Sequence, residues 1–142
     1  MSIADALSEV WLFSGVSKEH LEKLAAFTFS RDYKSGDMIV EEGRTGNGLY
    51  IIVSGQVEVV KALNTERATR LATLSKGEFF GEMALLGEFP RTATVRALTD
   101  VACVGVDRWL FLNQLGKDPQ LAITMLQAMA GRLRTTDANL TR

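Results

Sequence analysis

Gly77-Glu78-Phe79-Phe80-Gly81-Glu82-Met83-Ala84-Leu85-Leu86, continued by Gly87-Glu88-Phe89-Pro90-Arg91-Thr92-Ala93-Thr94-Val95, interrupts a run of short strand-like segments with a compact polar turn. Gly81 lets the backbone turn and approach a ligand closely without steric cost. Glu82 to Leu86 can form a short helix whose first N–H groups lack intrahelical acceptors and suit an anion. Arg91 follows nine residues after Glu82. If the short helix folds back across the strands, the Arg91 guanidinium faces the same anion, with several donors in a fixed fork and a charge that persists at neutral pH. Glu82 is the odd member, because an acid beside a phosphate is costly unless it faces something else. A carboxylate accepts hydrogen bonds and a sugar hydroxyl donates them. Glu82 with Arg91 therefore suits a ligand carrying a hydroxyl and a phosphate close together, such as a sugar phosphate or nucleotide. The bland alternative is a structural ion pair on a loop.

On either side of this stretch the chain reads as short strands punctuated by glycine. Met38-Ile39-Val40, Leu49 to Val53, Gln56 to Val60, Leu71 to Leu74, Ala93 to Leu98 and Val101 to Val106 are strand-like, several of them rich in β-branched residues. The Ser54-Gly55 step suggests a tight hairpin, and residues 62–70 read as a loop. The ends are helical. Ala4, Leu7, Val10 and Trp11 recur at helical spacing, and Trp11-Leu12-Phe13 form an apolar knot. Ser17 caps a second helix. Asp107 caps a third, ended by Gly116, and Asp118-Pro119 restarts a last one. Its stripe of Leu121, Met125, Leu126, Met129, Ala130 and Leu133 serves core packing, ligand contact, or both. His20 reads as solvated, Glu41-Glu42 as a solvated turn, and Cys103 as a buried small hydrophobe. The expected fold is mainly β with flanking helices: an antiparallel β-roll, jelly-roll-like, of about eight strands. One domain of 142 residues is expected, with N-terminal helices in 1–27, the roll in 28–106 and two C-terminal helices in 107–142.

The segments Phe80-Gly81-Glu82-Met83-Ala84-Leu85 and Pro90-Arg91-Thr92-Ala93-Thr94-Val95 resemble the phosphate-binding cassette of the cyclic-nucleotide-binding domain family. This family includes kinase regulatory subunits, gated channels and the catabolite activator sensors. Gly36-Asp37, Glu42-Gly43, Tyr50-Ile51-Ile52 and Ser54-Gly55-Gln56-Val57 resemble the family's early strands, so the likeness runs over residues 15–135. The resemblance implies an inserted cassette helix within 80–93 and a regulatory, non-catalytic sensor of cyclic AMP (cAMP) or cyclic GMP (cGMP), whose C-terminal helices move on binding. It implies that Glu82 holds the ribose 2′-hydroxyl and Arg91 the cyclic phosphate, with backbone N–H groups of Gly81, Met83, Ala84 and Ala93 completing the cradle. Thr92 is either a plain strand threonine or a contact to a syn guanine, which leaves cGMP open without excluding cAMP. There are two departures from the pattern. Asn47 stands where kinase regulatory subunits carry an acid that holds the arginine. No Trp or Tyr in the last helix is placed to stack on a base, so a lid would fall to Met125, Met129, Arg132 or Leu133. A sensor piece of a larger regulator, channel or enzyme, and a degenerate cassette without binding, are the alternatives.

Composition narrows the classes. Hydrophobic residues are 46% and charged residues 23%, with a net charge of −1, so no bulk attraction to nucleic acid or anionic membrane is expected. A single His and a single Cys cannot furnish a multi-ligand metal site, a Ser-His-Asp set or an intrachain disulfide. No resident cofactor or metal is expected. The absence of a basic leader and of an ~18-residue apolar run points to a cytoplasmic chain without a membrane span. The chain stops at Arg142, leaving no room for a helix-turn-helix, so no direct DNA binding is expected. The last helix offers a seam for a homodimer.

Overall fold

β-strand alternation decides how the layers stack. In β3 (Gly48–Ser54), Leu49 and Ile51 join a core shared with the helices, whereas Ile52 joins a second core between two sheets. Successive side chains point to opposite faces, so a strand buried on both sides must be apolar at nearly every position. That is why Leu49 to Ile52 is a continuous apolar run; Val53 beyond it is exposed. β8 (Val101–Asp107) is used in the same way, with Val106 toward the helices and Val101 and Cys103 toward the roll interior.

This computed structural model describes residues 2–140. Its remaining elements are α1 (Ile3–Ser8), α2 (Lys18–Ala25), β1 (Thr28–Tyr33), β2 (Met38–Val40), β4 (Val57–Lys61), β5 (Thr69–Leu74), β6 (Phe79–Phe80), β7 (Thr94–Ala97), α3 (Arg108–Lys117) and α4 (Pro119–Leu140). Two short 3-10 turns, Trp11–Phe13 and Glu82–Leu85, complete the order. One four-stranded sheet runs β1-β8-β3-β6 and the other β2-β7-β4-β5. Every pairing is antiparallel. The expected β-roll with flanking helices is the observed architecture.

The Ser54-Gly55 step is not a hairpin. β3 pairs with β6 and β8, while β4 pairs with β5 and β7, so the chain passes here from one sheet to the other. Both edges of β3 already carry partners, which leaves β4 to pair in the facing sheet. Thr99-Asp100 makes the reverse crossing between β7 and β8. The two crossings are tied together: the Leu98 N–H donates to the Gln56 carbonyl at 2.9 Å, and the Gln56 N–H to Thr99 Oγ1 at 3.0 Å.

The helices form one layer against β3 and β8. Leu7, Leu12, Phe13, Leu24, Phe111, Leu121 and Met125 are buried together there, and Phe13 meets Phe111 with ring centroids 5.8 Å apart. Ser17 and Asp107 cap their helices as expected. Asp118 Oδ1 accepts from the Leu121 N–H at 3.2 Å, which confirms Asp118-Pro119 as the start of α4. Gly116 does not end α3, which continues to Lys117. His20, expected to be solvated, lies 3.1 Å from Asp118 and joins α2 to the start of α4. Cys103 is buried in the roll, and burial pushes its thiol up to about 11. Among the described residues no helix is long and apolar enough to cross a membrane.

Candidate functional site

The turn after β6 is amphipathic over four residues. Gly81 precedes it with φ of +83°, a left-handed conformation that glycine adopts without strain. Glu82–Leu85 then forms a 3-10 turn rather than a regular α-helix. Leu85 is fully buried in the helical layer and Ala84 is buried beside it, whereas Glu82 is half-buried and Met83 exposed. One face of the turn is therefore anchored in the core while the other borders a cleft.

That cleft encloses about 410 Å³. Its apolar wall is Val40, Val59 and Val95, contributed by β2, β4 and β7. Its other wall is the turn and the segment after it. Gly81, Glu82, Met83, Ala84, Arg91, Thr92 and Ala93, the residues singled out in the sequence, all line it. The juxtaposition comes from topology. Thr45 bridges Pro90, and the Arg91 N–H donates to the Arg44 carbonyl at 2.7 Å, folding the segment back over the β2–β3 connection.

Arg91 is the centre of this arrangement. Its Nη2 donates to the Gly48 carbonyl at 2.9 Å. Its guanidinium packs so closely over Gly46 and Gly81 that a Cβ at either position would collide with it. Nε is buried and has no hydrogen-bond partner among the described residues. Burial lowers the Arg91 pKa, and Tyr50 and Glu82 oppose that shift. Arg91 is half-buried in the cleft wall, and its described hydrogen bond goes to a neutral carbonyl rather than to an acid, so its charge can meet an oxyanion such as a phosphate.

Glu82 Oε1 accepts a hydrogen bond from Trp11 Nε1 at 3.1 Å, a contact across 71 residues. Thr92 is exposed at the rim, and its carbonyl accepts from Lys61 Nζ at 2.8 Å. Asn47, at the position where an acid would steady the arginine, brings no charge, and its side chain makes no hydrogen bond to Arg91 among the described residues. Its carbonyl accepts the Arg108 N–H at 2.8 Å, and the Gly48 carbonyl takes the role of holding Arg91.

The lid residues read from the sequence are not at the cleft. Met125 is buried in the helical core and Met129 packs against that core. Leu133 is exposed, and the Arg132 guanidinium carbon lies over the Trp11 ring at 4.4 Å. None of the four lines the cleft. Leu121 and Met125 of α4 dock on the helical layer and Met129 packs against it, whereas Leu126 and Leu133 are exposed.

Arg108 was not singled out in the sequence. Only 5% exposed, it donates from Nη1 to the Gly46 carbonyl at 2.7 Å and the Gly87 carbonyl at 3.2 Å. Nη2 lies 3.6 Å from Glu88. It braces both the loop beneath Arg91 and the exit of the 3-10 turn. Nothing in its neighbourhood beyond Asp107 marks it, because its partners are distant carbonyls. Among the described residues no group of three or more His, Cys, Asp and Glu could hold a metal ion.

A family model described as the cyclic nucleotide-binding domain matches residues 30–118. A cAMP-activated global transcriptional regulator of Mycobacterium tuberculosis, similar to the catabolite activator type, is 29% identical over 136 residues. That match covers 96% of this chain and 61% of the regulator, so the chain spans less than two thirds of that relative's length. A cGMP-dependent protein kinase of Plasmodium berghei is 42% identical over 100 residues, covering 70% of this chain and 11% of the kinase. Among solved structures, the N-terminal domain of a transcriptional regulator from Streptomyces coelicolor superposes with a TM-score of 0.88 at 31% identity, covering 96% of this chain and 95% of that one.

Proposed function

Since the chain belongs to the cyclic nucleotide-binding domain family, we propose that it is a regulatory sensor of cAMP, cGMP or both, without catalytic activity of its own. The observation that carries this reading is Arg91, a half-buried cation in the wall of a cleft of about 410 Å³, held by the neutral Gly48 carbonyl and not by an acid. A cyclic phosphate supplies the opposite charge. Glu82, in the same wall, is the acceptor for a ribose hydroxyl. The backbone of Gly81, Met83 and Ala93 closes around the phosphate beside Ala84, whose own N–H donates to the Gly81 carbonyl at 3.0 Å, and Thr92 stands at the rim where a base would leave the cleft. The aliphatic wall of Val40, Val59 and Val95 accommodates a base without directional contacts, so discrimination between adenine and guanine falls largely to Thr92.

In this reading the signal leaves through the helical layer. Leu85 belongs at once to the cassette turn and to the core that includes Phe111 and Met125. A ligand that prefers one placement of the turn shifts the balance among placements of α3 and α4. The exposed Ile123, Leu126 and Leu133 of α4 provide the surface for a second copy of the chain. The whole protein's output, as a regulator or as the sensor of a larger assembly, follows from what α4 contacts.

Calorimetric titration with cAMP and cGMP side by side tests the reading. Saturable one-to-one binding of at least one nucleotide is expected. Absence of heat and of any thermal stabilisation with both nucleotides at millimolar concentration overturns it.

A further inference from the structure

The sequence places Trp11 in an apolar knot, and the structure gives its indole two further contacts. Nε1 donates to Glu82 Oε1 at 3.1 Å. The face of the same ring carries the Arg132 guanidinium, centred 4.4 Å from the ring centroid, within cation–π range. One rigid side chain therefore touches the wall of the cleft and α4 together. The ring is itself held. It starts the 3-10 turn whose Leu12 and Phe13 are buried, and it packs against the helical core. Glu82, on a surface turn with three side-chain torsions, is the more adaptable partner, so the indole orients the carboxylate.

A carboxylate has two oxygens and about four lone-pair sites. The indole N–H uses one of them on Oε1, leaving Oε2 able to accept a ligand hydroxyl without displacing Trp11. A shallow cleft of about 460 Å³ lies between Trp11 and Ser14 and the residues Ala128, Gly131, Arg132 and Thr135 of α4, three of them small. Small residues there leave α4 room to shift against the indole.

Resting on the cyclic-nucleotide reading of the cleft, we infer that Trp11 is a positioning residue of the ligand site: its N–H presents Glu82 to the ribose 2′-hydroxyl, and its ring relays occupancy of that subsite to α4 through Arg132. The coupling is reciprocal, so the placement of α4 also changes how well the ribose is held.

Trp11→Phe keeps an aromatic ring in the core and removes the N–H. Its affinity for cAMP and cGMP should fall about tenfold, the scale of one hydrogen bond to a charged group. Affinity for the 2′-deoxy analogues should change less than about twofold, because they do not use Glu82. At saturating ligand, the change in hydrogen exchange across residues 128–135 should shrink in the variant. Equal losses for ribose and deoxyribose ligands, or an undiminished exchange response, overturn the inference. A second measurement leaves Trp11 intact. The chain has two tryptophans, so Trp109→Phe makes Trp11 the sole emitter, and its emission should shift more with the ribose ligand than with its 2′-deoxy analogue. Identical shifts overturn the inference. If wild-type protein binds none of these nucleotides, the reading of the cleft itself falls; if it binds them and only the Trp11 effects are missing, that reading stands.

Discussion

Arg108 Nη1 donates to the Gly46 carbonyl at 2.7 Å, and Gly46 is the residue over which the Arg91 guanidinium packs. The buried Arg108 at the start of α3 thereby sets the floor on which the half-buried Arg91 lies. The two cations also repel, and Arg108 contributes to holding the Arg91 pKa below its ordinary value, after the larger effect of burial.

Arg108→Met should expose the cost of that arrangement. The side chain fills much of the same volume but leaves the Gly46 and Gly87 carbonyls without their donor. A loss of about 2–3 kcal/mol in urea-monitored stability is expected, together with weaker nucleotide binding as the loop under Arg91 loosens. Unchanged stability would show that water replaces the guanidinium freely.

Arg91→Met should separate stability from binding. The half-buried guanidinium and its bond to the Gly48 carbonyl are replaced by an apolar side chain, so the ligand-free protein should lose no more than about 1 kcal/mol. The same variant should lose the rise in Tm that ligand gives the wild type through mass action. A variant that retains the full ligand-induced Tm rise contradicts the assignment of Arg91 to the phosphate.

Thr92 lies at the rim of the cleft with its side chain exposed. Thr92→Ala should weaken cGMP binding by about 1 kcal/mol, the scale of one hydrogen bond, and cAMP binding by less. Equal losses for the two nucleotides assign Thr92 to the phosphate or to the strand alone. The Lys61 bond to the Thr92 carbonyl does not depend on the side chain, so the backbone should hold its position.

The ion cluster on β4 contributes a pH dependence of stability. Glu58 is buried, accepting from Arg96 at 2.7 Å and 2.9 Å and from Arg70 at 3.1 Å. The Arg96 hydrogen bonds hold its carboxyl below the usual range, opposed by burial and aided by Arg70. With the folded pKa depressed, the stabilisation is fully present above the unfolded value of about 4.3 and is lost as the pH falls through the lower folded value. The Tm gap between wild type and Glu58→Gln should therefore be widest near neutrality and close on acidification below about pH 4. A gap independent of pH would mean that the charge of Glu58 is not what the cluster needs.

Much of the site was legible in the sequence because its chemistry is local. Gly81, Glu82, Met83, Ala84, Arg91, Thr92 and Ala93 lie within 13 consecutive residues and all line one cleft. Turn chemistry and residue type suffice to single them out. The lid residues sit elsewhere for a physical reason. A helical stripe of Met and Leu says that a face is apolar, not which apolar surface will cover it, and here Met125 and Met129 pack with the helical core.

The strand pattern and the capping residues likewise determined most of the elements on their own, since alternation, glycine turns and caps act over a few residues. Sheet membership was not available from that range. The Ser54-Gly55 step reads as a hairpin locally, yet β3 was already flanked by β6 and β8, so the chain crossed to the other sheet. The polar contacts that complete the site, Trp11 with Glu82 and Arg108 with Gly46, join residues 71 and 62 positions apart. An indole N–H or a guanidinium finds its acceptor only after the cores have closed, because those acceptors are brought within reach by packing and not by neighbours in the chain. The sequence by itself determined the elements of a β-roll and the turn that borders its cleft; the tertiary structure alone decided which residues hold that turn in place.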